Sequence, residues 1–246
     1  MLLFVGTSLA IKSTYLFDDI DSVLSMNQEK ETEMPRDERK HQKALMKKRS
    51  KQKAASQSKS HRQEIGALSP PAIIRRARDF PILECWISSD WQGDGMGLVQ
   101  ILVARQQPDG DICFGVYLVD KLCLGLKNTF ANAGFTRARY LNEVRNKIFR
   151  QMEPEECTIE LASQMVYASI DYAAQFGFQP EKDFALSQYI LPPRGELEEP
   201  YQLTFGRDGK PFFVAGPHDN VARILRQLEK TAGPGNFDYF APMSGF

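Results

Sequence analysis

From Phe80 onward, short apolar runs alternate with stretches of turn-forming residues. "FPILECWIS" (80–88), "LVQILVARQ" (98–106) and "ICFGVYLV" (112–119) are rich in β-branched and aromatic side chains, which predicts three strands. "SDWQGDGMG" (89–97) carries three glycines and reads as a loop. "QPDGD" (107–111) combines a proline that presets φ with a glycine that accepts a positive one, so it joins the second and third strands as a hairpin.

The period then changes. Leu141, Val144, Ile148 and Met152 recur at three- and four-residue steps, predicting a helix over 137–152 with Thr136 at its start. A wider apolar face, from Leu161 through Met165, Val166 and Ile170 to Phe176, predicts a central helix. Thr158 is placed to cap it and Gly177 to close it. "GFQPEKDFALSQYIL" reads as a turn and a short helix, and "YQLTFGRDGKPFFVAG" (201–216) as a second hairpin about "RDGK". A last helix is expected in "PHDNVARILRQLEKTAG", with Asp219 or Asn220 at its cap and Gly233 at its end. Strands, helices, strands and a helix in that order imply an α+β domain over 69–246, with antiparallel β-hairpins packed on two to three helices.

Upstream, residues 26–68 hold almost no large apolar side chain beyond Leu45 and Met46. Such a segment cannot offset the entropy of ordering, so 1–68 is expected to be a disordered arm or, in its polar part, a solitary solvated helix. "LSPPAII" (68–74) marks the expected boundary. The first eleven residues, "MLLFVGTSLAI", are apolar but carry no basic residue before Lys12, as a secretory signal would require. Met26 and Met34 offer alternative starts. No run approaches the ~18 apolar residues of a membrane span, so no membrane partner and a cytoplasmic location are expected.

Charge adds the clearest functional hint. The formal net charge of the whole chain is +0. Arg36 to Arg62, however, hold 11 Lys and Arg against 2 Asp and Glu, a net of +9. Residues 65–246 carry a net of −4. A basic arm on a mildly acidic body points to a polyanionic partner. Arg39, Lys40, Lys43, Lys47, Lys48, Arg49, Lys51 and Lys53 are the candidates to neutralise phosphates of RNA, DNA or a ribosome, releasing counterions. The basic stretch 36–62 has no Phe, Tyr or Trp to stack on bases, so sequence-blind contact is expected. A non-enzymatic nucleic-acid-contacting protein is the leading expectation.

Two other readings belong to different classes. Asp120, at the end of a predicted strand, together with Asp90 or Asp94 in the glycine-bearing loop, offers carboxylates for a metal-dependent hydrolase or nuclease. Each also has a turn-forming reading, and Asp120 is expected to cap the turn that follows its strand. His218, in the same body, is a weak catalytic candidate with Cys123 or Cys85. Trp91, in the loop, is an anchor for a protein-interaction module. "GRDGKP" lacks the spacing of a phosphate loop, and cysteines at 85, 113, 123 and 157 match no zinc pattern. No cofactor and no metal are expected. After Asp120, Leu122, Cys123, Leu124 and Leu126 read as an apolar cover for the core, and Lys121 and Lys127 as solvent-facing.

"YLVDKLCLGLKNTF" (117–130), "YAAQFGFQPEKDF" (172–184) and "TFGRDGKPFFVAGPHDN" (204–220) together resemble a bacterial family of hypothetical proteins, in which a similar body often follows a short basic arm. The resemblance covers most of 80–240. It implies no reaction, ligand or catalytic residue.

Overall fold

The computed structural model describes residues 36–66, 68–93, 95, 97–197 and 201–241. The apolar N-terminus, the alternative starts at Met26 and Met34, Asp94 and the terminal Phe246 lie outside them. The chain divides between Ala55 and Ser56 into two units, each described by itself.

In the arm, helix α1 runs from Arg36 to Gly66. A solvated helix is one of the two forms open to this polar segment. Its composition explains why: Lys, Arg, Gln and Ala are strong helix formers, and the stretch contains no proline or internal glycine.

The body opens with α2 (Pro70–Arg75). The Pro-Pro pair of the boundary stretch occupies the first turn of this helix, where the missing N–H groups cost nothing. Strands β1 (Ile82–Ser88), β2 (Leu98–Gln106), β3 (Ile112–Asp120) and β4 (Gly125–Phe135) follow as an antiparallel meander. A short β5 (Pro154–Glu156) adds to the far side of β1, giving the order β4-β3-β2-β1-β5. β3 is an interior strand with cover on both faces, which is why its sequence is a continuous apolar run without alternation. β4 corrects the sequence reading of Leu122 to Leu126 as simple cover: the chain turns at Asp120 and re-enters the sheet at Gly125.

Each face of the sheet has its own cover. On one side lie α2, α5 (Ile159–Ala174) and the segment from α6 (Phe184–Ser187) to Leu191, with Met165, Val166, Ile190 and Tyr117 at the centre. Thr158 caps α5 by accepting the Leu161 N–H at 3.2 Å, and Gly177 follows it at φ +76°. On the other side, the helix expected over 137–152 is broken into α3 (Arg137–Tyr140), a π-helical turn (Leu141–Arg145) and α4 (Asn146–Ile148). Tyr140, Val144 and Phe149 from this segment pack on Phe114 and Val116.

The expected second hairpin over 201–216 is also revised. Only the tip, Arg207 to Lys210, closes on itself. β6 (Phe212–Val214) pairs in parallel with β7 (Asp238–Phe240), and α7 (Val221–Thr231) seals the pair through Phe213 and Leu228. Asn220 caps α7, accepting the Arg223 N–H at 3.1 Å.

Candidate functional site

All side chains from Arg39 to Ser56 on α1 are exposed. This stretch contains the eight basic candidates and no acidic residue. Lys40, Lys43, Lys47 and Lys51 recur at three- and four-residue steps and so share one side of the helix. At 1.5 Å per residue that row is about 16 Å long. Arg39, Lys48, Arg49 and Lys53 carry charge around the remaining circumference. Like charges four residues apart, such as Lys43/Lys47, Lys47/Lys51 and Arg49/Lys53, each cost an isolated helix about 0.2–0.5 kcal/mol. A polyanion laid along the row removes that cost.

The acidic candidates sit in a different setting. Asp120 is 3% exposed. Its Oδ1 accepts the N–H groups of Leu122 at 3.0 Å and Cys123 at 3.1 Å, capping the β3–β4 turn. Burial pushes this carboxyl up to about 6, although the Leu122 N–H and the charge of Lys127 oppose the shift. Asp90 is exposed and its carbonyl accepts the Gly93 N–H at 2.8 Å, closing a turn. Among the described residues, no three His, Cys, Asp or Glu side chains converge to hold a metal ion.

His218 is exposed at the rim of a groove of about 500 Å³, beside Asp219, Lys127, Glu181 and Arg223. Asp219 Oδ2 holds Lys127 Nζ at 2.6 Å and the Gly216 N–H at 2.7 Å. Cys123 is buried with Phe213 and Leu228 in the cluster beneath α7, and burial pushes its thiol far up. Cys123 therefore behaves as a small apolar residue. Cys85 lies in the main core on β1.

The two lysines expected to face solvent are both drawn inward. Lys121 is 7% exposed and its Nζ donates to the Trp91 carbonyl at 2.5 Å. Lys127 is held by Asp219, 92 positions away, a pairing with no local sequence signal. Trp91 is itself tied down, its Nε1–H donating to Glu155 at 2.5 Å. The sequence also gave no sign of a buried cation in β2. Arg105, 5% exposed, donates to the carbonyls of Ile190 at 2.7 Å and Phe80 at 2.8 Å. No described helix is long and apolar enough to cross a membrane.

Comparison with models of protein families, with curated proteins and with solved structures finds no match.

Proposed function

We propose that the protein contacts nucleic acid, alone or within a ribonucleoprotein, through the basic side chains of α1. The observation that carries this reading is the run from Arg39 to Lys53: eight cationic side chains, no anionic one, all exposed on a helix. All eight are exposed, so phosphates can reach them. Contact goes mainly to phosphates, since the run has no Phe, Tyr or Trp to stack on bases and its lysines act as point charges on the backbone. Hydrolysis and protein-interaction readings have no comparable observation behind them: Asp120 is engaged by backbone N–H groups and Trp91 by Glu155.

The test is fluorescence anisotropy of the full chain with a labelled RNA and a DNA duplex across a salt series. Binding should weaken steeply with salt, with similar affinity for unrelated sequences. Replacing Lys40, Lys43, Lys47 and Lys51 with Gln should reduce the magnitude of the log–log salt slope by up to about 3.6 on duplex DNA, about 0.9 per lost phosphate contact. An unchanged slope in that variant, with α1 still helical by circular dichroism, refutes the proposal.

A further inference from the structure

β5 and β1 pair with Trp86 opposite Glu156, Ile87 opposite Glu155 and Ser88 opposite Pro154. Carried one step further, the register sets Cys85 opposite Cys157. The Cys157 N–H does donate to the Cys85 carbonyl, at 3.0 Å. Opposed residues of this hydrogen-bonded kind have Cα atoms about 5.5 Å apart. That lies inside the disulfide Cα range of about 4.4–6.8 Å, while the Cβ atoms of such a pair, about 5.5 Å apart, must close by about 1 Å to reach disulfide distance. Directly opposed side chains on antiparallel strands also share a face. Accordingly, Cys85 belongs to the main core, Cys157 packs against it, and both line one groove of about 350 Å³.

The other two cysteines are placed elsewhere. Cys113 is on β3, two strands from Cys85 and two residues out of register with it, so the two Cα atoms are about 12 Å apart. Cys123 lies in the separate cluster beneath α7. All four are free thiols in this structure.

We propose that Cys85 and Cys157 form a redox-sensitive pair that closes to an intramolecular disulfide under a hydroperoxide. Cys157 is the more accessible of the two and attacks first. Its Sγ bonds to one peroxide oxygen, the O–O bond breaks, and the alcohol or water leaves, producing a sulfenic acid. Cys85 Sγ then attacks that sulfur and expels water. Two thiols and one hydroperoxide thus become one disulfide, one alcohol or water, and one further water.

The surroundings make the reaction slow at neutral pH. Burial pushes both thiols up to about 12; Arg105 pulls Cys85 back, while Glu160 and Glu84 add to its rise and Glu155 to that of Cys157. Since the thiolate is the nucleophile, the rate should climb with pH, by up to about tenfold per unit below that value. The bond would tie the exit of the three-residue β5, two positions before α5 begins, to β1.

The test treats the full-length chain, folded, with hydrogen peroxide at pH 7 and pH 9. The expected product is a monomer that has lost two hydrogens in intact mass, with peptide mapping linking Cys85 to Cys157. Its unfolding midpoint should rise by about 5–10 °C, reversibly on adding a dithiol. Cys157→Ser should abolish the link, and Cys85→Ala should do the same if Cys85→Ser fails to fold. Cys113→Ser and Cys123→Ser, assayed by mapping alone, should leave it. A disulfide between chains, a link involving Cys113 or Cys123, or sulfinic acid on Cys157 without any crosslink would overturn the proposal.

Discussion

Helices α1 and α5 make the instructive pair. α1 has 31 residues and α5 has 16. The longer one buries none of its described side chains from Arg39 to Ser56, whereas α5 buries Leu161, Ala162, Met165 and Val166 against the sheet. α1 is held by backbone hydrogen bonds and propensity and is opposed by its own like charges. α5 is held by apolar burial, with Thr158 adding a cap. Helical periodicity of apolar residues thus marks a helix that belongs to a core. Its absence over a run of good helix formers marks one that stays exposed.

The comparison breaks first if α5 tolerates truncation. Met165 is fully buried, and Met165→Ala should cost the body about 2–5 kcal/mol in urea unfolding. The matching change in α1, Met46→Ala, removes a side chain that is 75% exposed and should leave that transition where it was. Equal losses would mean that the two helices do not differ in kind.

Next in size is Asp120. Its carboxyl is raised to about 6 in the folded chain from an ordinary 3.8. The folded state therefore binds the proton more tightly, and the contribution of this group is lost as pH rises through about 6. Asp120→Asn keeps an oxygen for the two turn N–H groups and removes the buried charge. It should flatten the stability profile between pH 4 and 6.5 and raise stability at pH 7.5 by on the order of 2–3 kcal/mol. A loss of stability at pH 7.5 would show that the charge itself is needed there.

A smaller effect is expected at the ion pair of Lys127 with Asp219, whose side chains are 20% and 11% exposed. Lys127→Ala leaves Asp219 with the Gly216 N–H and should cost about 1–2 kcal/mol by chemical denaturation. The smallest effect belongs to α1 again. Met46→Pro should lower far-ultraviolet ellipticity by breaking the helix, yet shift the unfolding midpoint of the body by less than about 1 °C. A body that melts earlier would show that the helix supports it.

What the sequence made legible was what depends on neighbours. The β2–β3 hairpin follows from "PDGD" between two apolar runs, and α5 from Thr158, its apolar face and Gly177. β4 escaped because Asn128, Asn132 and Gly134 interrupt its pattern, while its pairing with β3 is set by the turn that Asp120 caps. β5 is three exposed residues whose strand character comes wholly from lying beside β1. The β6–β7 pairing joins segments 26 positions apart in parallel, which no local pattern announces. At the candidate sites, charge alone was enough to pick out the arm. The burial of Asp120 and Lys121, and the opposition of Cys85 and Cys157, are products of long-range packing.

The segment that follows α6 is held in an asymmetric way. Tyr117 Oη–H donates to the Ser187 carbonyl at 2.8 Å, Arg78 to those of Gln188 at 3.2 Å and Leu191 at 2.8 Å, Arg105 to that of Ile190, and Tyr167 to that of Pro192 at 3.0 Å. Every acceptor in this set is a main-chain oxygen, which any amino acid supplies. For these five bonds the burden of identity falls on the four donors. The path of this irregular stretch thus hangs on two arginines and two tyrosines elsewhere in the chain, while its own letters answer to the core, where Ser187, Ile190 and Leu191 are buried.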